Sequence, residues 1–172
     1  IPDNKAIFYQ KHMTHHLLPN IERDWFDRLT HCFLIRNPRE VLLSYIKTRA
    51  NVTLEDIGMP QQLEIFDYIR EKTGAIPIVI DSTEFLHNPR AFLELTCERL
   101  DIPFTERMLS WPAGARDSDG VWAEYWYAAV LKSTGFAPYT PRTEVLPDHL
   151  QPLAQQAMPY YEALYEQRLQ IL

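Results

Sequence analysis

An apolar run leads directly into a helix start in the segment Cys32-Phe33-Leu34-Ile35-Arg36-Asn37-Pro38. Its four consecutive apolar residues suit a strand that is buried on both faces, as in a parallel sheet. Asn37 suits the N-cap of a helix and Pro38 its first position, and the residues from Val41 to Ile46 continue with an apolar stripe at helical spacing. The segment therefore predicts a strand that is followed at once by a helix, with Arg36 at the junction.

Strands and helices are predicted to alternate on both sides of this segment. Further strands are expected at residues 6–9 and 76–80, and helices at about 20–29, 38–46, 63–73, 89–100, 122–131 and 150–172, the last with a kink at Pro159. Loops rich in Pro, Gly and Asp are expected at 102–120 and 135–147. This alternation predicts an α/β fold, with helices layered on both faces of a parallel sheet.

Composition and charge exclude several functional classes. The 172 residues, 46% of them hydrophobic, are enough for one domain with a core, so residues 1–172 are expected to form a single domain. With 17 Lys and Arg against 23 Asp and Glu, the net charge is −6. Nucleic-acid and anionic-membrane binders carry excess positive charge, so we expect neither activity. A site for an anion must be built locally.

The use of cysteine indicates a cellular compartment, and the first residues indicate where the natural chain begins. Cys32 and Cys97 do not form closely spaced pairs, which favours buried free thiols in a reducing compartment, and we expect a cytoplasmic protein. No apolar run approaches the about 20 residues that span a bilayer. The segment from Ile1 to Asn4 is neither a start methionine nor a signal peptide, so we expect the natural chain to begin upstream.

Ligands of open α/β sheets bind outside the carboxyl ends of the strands. The residues at those ends are Lys11 to His16, Arg36 with Asn37, and Asp81 to Glu84. Arg36 is the most informative of them, because its guanidinium and the free N–H groups of the following helix converge where an anion can be held. Ser44 lies about two turns along the helix and can add a hydroxyl donor.

The stretch from Phe33 to Tyr45 resembles the 3′-phosphate-binding motif of sulfotransferases that use 3′-phosphoadenosine 5′-phosphosulfate (PAPS), in which a strand ends in Arg and the next helix carries Ser at this spacing. The resemblance implies a sulfotransferase of the P-loop NTPase-like fold, with PAPS as co-substrate and Arg36 and Ser44 as ligands of its 3′-phosphate. Considered alone, Arg36 has a second interpretation, as a structural arginine paired with an acid.

Three other stretches resemble the same family in order and distance. The segment from Lys11 to Pro19 is similar to the Lys-Thr-His-Leu-Pro segment that supplies a catalytic base, and the segment from Val79 to Pro89 is similar to the strand and acidic turn before a late helix. The segment from Arg116 to Trp122 resembles the Arg-Lys-Gly loop that folds over the 3′-phosphate, although the neighbouring Lys and Gly are missing. The resemblance implies Arg116 as a third phosphate ligand.

The resemblance does not single out one histidine as the base. Counting from Lys11 places Met13 at the base position, counting back from the Leu-Leu-Pro end places His12 there, and His15 or His16 can reach the same space from the next turn. We expect His15 or His12 to accept the proton of the acceptor, and Lys11 to stabilise charge on the leaving phosphate. No carboxylate or cysteine completes a metal cluster with these histidines, so no metal site is predicted.

The family also has a loop that holds the 5′-phosphosulfate, and none of the five glycines of this sequence lies in a loop of that type. We expect that loop to precede Ile1. Two alternatives therefore stay open. One is a P-loop nucleotide kinase-like phosphotransferase, for which Asp81 is the candidate Mg²⁺ ligand, and the other is a non-catalytic nucleotide-binding fragment.

The acceptor is expected to be a small molecule with a hydroxyl or an amine. Aromatic side chains are candidates for the wall of its pocket, although aromatic residues at helical spacing also suit a core. These candidates are Trp122, Tyr125, Trp126 and Tyr127. The oligomeric state has no signal in the sequence.

Overall fold

The computed structural model describes residues 7–49, 51–117, 119–121 and 127–171. In these residues, strand β1 (Cys32–Ile35) pairs in parallel with strand β2 (Ile78–Asp81). The register places Ile35 opposite Asp81, so the carboxyl ends of the two strands lie side by side. The predicted α/β class with a parallel sheet is confirmed, and the sheet of the described residues has two strands.

Most of the regular structure in the described residues is helical. The α-helices of the described residues are α1 (Pro38–Tyr45), α2 (Leu54–Ile57), α3 (Met59–Thr73), α4 (Ser82–His87), α5 (Pro89–Arg99) and α6 (Gln151–Tyr165). Single turns of 3-10 helix lie at Thr14–His16, Asp24–Arg28, Glu106–Met108, Val130–Lys132 and Asp148–Leu150. None of the helices in the described ranges has the length and apolar character that crossing a bilayer requires.

Three helix boundaries read from the sequence are confirmed, and each lies at a capping residue. Asn37 caps α1, its side chain accepting a hydrogen bond from the N–H of Arg39, and Pro38 is the first helical residue. Gly74 ends α3 in the left-handed conformation, with φ of 70°. Asn88 caps α5 in the same way as Asn37 caps α1. Each of these signals acts within a few residues.

Two groups of buried side chains form the core. One lies between the sheet, α3 and α6, and the other joins α1, α2 and α6. The first contains Phe26, Phe33, Ile35, Ile65, Phe66, Ile69, Val79 and Leu164. The second contains Leu42, Leu43, Ile57, Met59, Leu146, Leu150, Ala154 and Ala157. Helix α6 contributes to both groups, and it thereby ties α1 to the sheet.

The prediction that β1 is buried on both faces is wrong. Phe33 and Ile35 are buried on one face, whereas Leu34 on the opposite face is 63% exposed. In the described part of the chain, α3 and α6 cover only the face that carries Phe33 and Ile35. Cys32, on the same side as Leu34, is likewise exposed and not buried as expected, while Cys97 is buried; both thiols are free.

Two predicted elements near the start of the chain do not form. Residues 7–9 have no regular structure, and Tyr9 is 82% exposed. An apolar run alone does not make a strand, because its backbone groups need a neighbouring strand to bond. The predicted helix at 20–29 is reduced to the 3-10 turn Asp24–Arg28, of whose residues only Phe26 is buried. A short helix with one buried side chain has too little packing to extend.

Several helices differ from the prediction in their bounds or in their presence. Helix α6 stops at Tyr165 and not near residue 172, and the N–H of Leu169 donates to the carbonyl of Val79 in β2. Pro159 lies inside α6, where it removes one backbone donor. Residues 122–126 lie outside the described residues, and 127–131 contain only the beginning of a 3-10 turn. Helices α2 and α4 were not predicted, since each is shorter than two turns.

Candidate functional site

Arg36 lies at the carboxyl end of β1, as predicted, and it is paired with Glu40. Its Nε and Nη2 each lie 3.1 Å from Oε2 of Glu40, one turn into α1. The Arg36 side chain is 37% exposed, whereas that of Glu40 is 9% exposed. Two of the five N–H donors of the guanidinium bind Glu40, and the exposed part of the group remains open to a ligand. Arg36 thus has the structural partner that its second interpretation required, together with access to solvent.

Glu40 accepts hydrogen bonds on both of its carboxylate oxygens. Tyr139 donates from its hydroxyl to Oε1 at 2.6 Å, while Arg36 occupies Oε2. Burial works to raise the pKa of Glu40, but the hydrogen bonds from Tyr139 and Arg36, with the charges of Arg36 and Arg142, hold this pKa below its ordinary value. The hydrogen bond to Glu40 in turn raises the pKa of Tyr139. Glu40 is therefore a buried, ionised carboxylate between positive groups.

Ser44 lies on the same face of α1 as Glu40, because residues four apart in a helix are stacked one turn above the other. The Ser44 side chain is half-buried in the last turn of the helix. Arg36 precedes the helix and reaches Glu40 in its first turn, and Ser44 follows Glu40 one turn later. The Glu40 carboxylate therefore lies along the chain between the two predicted phosphate ligands.

The segment from Tyr139 to Glu144 lies across the first turn of α1. Nη1 of Arg39 donates to the carbonyl of Arg142 at 3.4 Å, and Nη2 of Arg39 donates to the carbonyl of Glu144. Tyr139 is attached to Glu40 through its hydroxyl, as described above. We refer to residues 139–144 as the covering loop. It adds Tyr139 and Arg142 to the neighbourhood of Arg36.

Two of the candidate histidines, His15 and His16, lie in the 3-10 turn Thr14–His16. This turn packs against Gly58. Thr14 Oγ1 donates to the carbonyl of Gly58 at 2.9 Å. Gly58 adopts φ of +67°, and a Cβ added there would lie 2.8 Å from Thr14 Oγ1 and 3.2 Å from His15 Nδ1. Glycine is thus required at this position both by the backbone conformation and by the close approach of the histidine turn.

His15 is the histidine that the turn holds in place. Its Nδ1 is buried and has no hydrogen-bond partner among the described residues. Burial lowers the pKa of His15, and the nearby charges of His16, Arg49 and Lys11 lower it further, against the opposing effect of Asp56. A neutral imidazole at pH 7 is the form that can accept a proton.

The histidine turn and the end of β1 are connected through α3. Gly58 precedes the first turn of α3, and Gln62, one turn later, donates from Nε2 to the carbonyl of Leu34 in β1 at 3.0 Å. At the other end of α1, Tyr45 donates to the carbonyl of Asp56 at 3.0 Å, and Asp56 is paired with Arg49 at 2.9 Å. Arg36 therefore lies at the start of α1, and His15 lies near the groups beyond its end.

Lys11, His12 and Arg116, which were also predicted to act in the site, are exposed. Lys11 Nζ lies 3.0 Å from Met13 Sδ, and His12 Nε2 lies 2.9 Å from Gln10 Oε1. The N–H of Arg116 donates to Asp119 Oδ2 at 2.9 Å and closes a surface turn. The described contacts of Arg116 do not connect it to Arg36 or Ser44. The roles of all three residues stay predictions.

The predicted acceptor wall falls mostly outside the described residues, since Trp122, Tyr125 and Trp126 belong to the range 122–126. Tyr127 is half-buried. No group of three or more His, Cys, Asp or Glu side chains in the described ranges is arranged to hold a metal ion.

Asp81, the candidate Mg²⁺ ligand of the kinase alternative, is fully engaged by protein groups. It is 1% exposed, its Oδ1 caps α4 by accepting from the N–H groups of Thr83 and Glu84, and its Oδ2 accepts from the hydroxyl of Tyr161 at 3.0 Å. Burial and the charge of Asp81 raise the pKa of Tyr161 well above its ordinary value. These contacts identify Asp81 as a structural residue of the β2 end.

Sequence reasoning missed three residues beside Arg36, namely Glu40, Tyr139 and Arg142. Glu40 had a usable signal, because an acid four residues after an arginine at a helix start is a common ion-pair spacing. Tyr139 had none, since it is 99 residues from Glu40 in the chain. Arg142 had no signal either, because the composition of its segment predicts only a loop.

Comparison with known proteins gives a family and two relatives. The model of the sulfotransferase domain family matches residues 2–168. The chain is 31% identical over 163 residues to branched-chain-amino-acid aminotransferase-like protein 2 of Arabidopsis thaliana. It is 34% identical over 161 residues to branched-chain-amino-acid aminotransferase-like protein 1 of the same organism. These alignments cover 95% and 94% of the chain but 29% of each relative. No solved structure matches the chain significantly.

Proposed function

The chain belongs to the sulfotransferase domain family, and on that premise we propose that it transfers a sulfuryl group from PAPS to a hydroxyl or amine of a small-molecule acceptor in the cytoplasm. The single observation that supports the choice of donor is the partly exposed Arg36 guanidinium at the carboxyl end of β1, followed by Ser44 in α1. The names of the two relatives refer to whole proteins, of which the chain spans 29%, so they do not identify the reaction of this part.

The proposed 3′-phosphate site uses the exposed side of Arg36. The guanidinium keeps N–H groups that Glu40 does not occupy, and a phosphate oxygen is a strong acceptor for them. Ser44 adds a hydroxyl one turn beyond Glu40. A dianion placed here competes with Glu40 for Arg36, and the excess of positive charge around Glu40 favours the phosphate.

The proposed chemistry lies at the other end of the nucleotide. The two ends of α1 are separated by eight residues, or about 12 Å of helix, so a nucleotide whose 3′-phosphate binds Arg36 can direct its 5′-phosphosulfate toward the histidine turn. His15 suits the base better than His12, because it is packed against Gly58 and has a lowered pKa, while His12 is exposed.

In the proposed step, the acceptor oxygen or nitrogen attacks sulfur in line with the bond from sulfur to the bridging oxygen. That bond breaks, and its electron pair leaves with the 5′-phosphate of 3′-phosphoadenosine 5′-phosphate. The proton of the acceptor passes to Nε2 of His15, since Nδ1 is buried toward Gly58. Lys11 stabilises the charge that develops on the bridging oxygen.

The test is a pair of calorimetric titrations of the protein, one with 3′-phosphoadenosine 5′-phosphate and one with adenosine 5′-phosphate. We expect the first nucleotide to bind at least about tenfold more tightly, because one charge-assisted hydrogen bond is worth about 1.5 to 3 kcal/mol. Arg36→Gln and Ser44→Ala should reduce this ratio. Equal binding of the two nucleotides by the unmodified protein would contradict the proposal and favour a module that does not read the 3′-phosphate.

A further inference from the structure

The covering loop holds Arg142, a half-buried arginine with one unused side-chain donor among the described residues. Nη1 of Arg142 is buried and has no hydrogen-bond partner in the described part of the chain. A buried donor without an acceptor is costly, since the N–H group has lost water and gained nothing in exchange. An acceptor from outside the protein, such as a phosphate oxygen, would satisfy this donor.

Arg142 belongs to the covering loop, which is hydrogen-bonded to the first turn of α1 beside the pair of Arg36 and Glu40. The charges of both arginines act on Glu40 and contribute to its lowered pKa. Arg39 adds a third guanidinium at the same helix start, although its two terminal nitrogens donate to carbonyl groups of the covering loop. The charges of two arginines thus act on one carboxylate, and a third arginine lies at the same helix start, in a chain whose net charge is −6. Such a local reversal of charge is an electrostatic arrangement suited to a dianion.

Arg39 also explains how the covering loop is held in position. It binds the backbone carbonyl of Arg142, not its side chain. The Arg142 guanidinium is therefore presented by a loop that is attached at Tyr139, at Arg142 and at Glu144. The Glu144 carboxylate lies 4.0 Å from Nζ of Lys47, which follows the far end of α1, so it pairs with a different cation.

We propose that Arg142 is the second guanidinium ligand of the 3′-phosphate of the nucleotide, opposite Arg36, and that Arg39 is a positioning residue that holds the covering loop over the site. This proposal rests on the proposed function and refines it. It gives Arg142 the place that the sequence assigned to Arg116, whose backbone closes an exposed surface turn.

The experiment compares Arg142→Gln with Arg116→Gln, a matched change of the other candidate. Each variant is titrated with 3′-phosphoadenosine 5′-phosphate and with adenosine 5′-phosphate, and the ratio of the two dissociation constants is measured. We expect Arg142→Gln to reduce the ratio about tenfold or more, because a charged hydrogen-bond donor is lost, and Arg116→Gln to leave it unchanged. Binding of adenosine 5′-phosphate should stay the same in both variants.

Two further measurements keep the outcome interpretable. Arg142→Lys retains the charge but not the planar fork, so its ratio should fall between those of the unmodified protein and Arg142→Gln. The urea midpoint of Arg142→Gln should be unchanged or higher, since the side chain forms no hydrogen bond that folding would lose.

The failure of this inference differs from the failure of the proposed function. If the unmodified protein prefers the 3′-phosphorylated nucleotide and Arg142→Gln keeps that preference, Arg142 is not a ligand and the inference is overturned. If Arg116→Gln alone loses the preference, the ligand is Arg116. If the unmodified protein shows no preference, the proposed function itself fails.

Discussion

The carboxyl ends of β1 and β2 lie side by side and have opposite chemistry. Each strand leads into a helix through a capping side chain, Asn37 for α1 and Asp81 for α4. The Asp81 cap is charged, buried and bonded to Tyr161, so it satisfies the helix start from within the protein. The Asn37 cap is neutral, and the charged group beside it is a partly exposed arginine.

Neighbouring residues extend this difference. At the β2 end, Glu84 accepts from Tyr165 at 2.6 Å and from Arg168 at 2.8 Å, and both partners lie in or just after α6. At the β1 end, the charges of Arg36 and Arg142 act on the Glu40 carboxylate, and Nη1 of Arg142 is buried with no hydrogen-bond partner in the described ranges. The β2 end is closed by internal partners and stabilises the fold, whereas the β1 end is left incomplete by the protein and suits a ligand.

Removing the two capping side chains tests whether the β2 end is structural and the β1 end is not. It has the largest expected effect on the free energy of unfolding. Asp81→Ala deletes the cap of α4 and leaves the buried Tyr161 hydroxyl without its acceptor, so we expect a loss of about 3 kcal/mol in the free energy of unfolding. Asn37→Ala deletes only a neutral cap and should cost about 1 kcal/mol. Urea denaturation measures both values. Equal losses would show that the β2 end is no more structural than the β1 end.

The histidine turn belongs to neither strand end, and a pair of glycine variants tests how it is held. Gly58 and Gly74 have φ of +67° and +70°, but a Cβ meets Thr14 only at position 58, while nothing lies within 4 Å at position 74. We expect Gly74→Ala to cost about 1 kcal/mol from backbone strain, and Gly58→Ala to cost about 2 kcal/mol because the clash is added.

A second measurement on the same two variants reports on His15 itself. The pKa of its imidazole, followed by NMR, should move back toward the ordinary 6.5 in Gly58→Ala, because the displaced turn exposes the ring. It should not change in Gly74→Ala. An unaltered pKa of His15 in Gly58→Ala would remove the argument that Gly58 positions this histidine.

The smallest expected effect concerns the pH dependence contributed by Glu40. Its pKa is lowered in the folded protein, so its contribution to stability is present above the ordinary value of 4.5 and is lost as the pH falls through the lower folded value. Glu40→Gln should therefore cost about 1 kcal/mol at pH 7 and nothing below both pKa values. Urea midpoints between pH 2.5 and 7 measure this. A cost that persists at the acidic end would mean that packing, not charge, explains the effect.

The part of the candidate site that could be predicted from the sequence is the part that α1 builds by itself. Arg36 and Ser44 are fixed by a strand end and by helical spacing, and both were placed correctly relative to β1 and α1. The exposure of Leu34 could not be predicted, because a continuous apolar run has the same sequence pattern whether helices cover one face of the strand or both. Residues 7–9 of the strand expected at 6–9 have no regular structure, for the related reason that a strand depends on its neighbour.

The β1–α1 unit, with its caps and the order of its polar residues, follows from the local sequence, because those interactions join residues a few positions apart. Long-range folding is what brings the other groups to the strand end. Tyr139 reaches Glu40 across 99 residues and Thr14 reaches Gly58 across 44. Such contacts leave no period or spacing in the chain, since they depend on how packed helices bring distant segments together. The proposal of Arg142 in place of Arg116 likewise depends on the covering loop, which only folding brings to the start of α1.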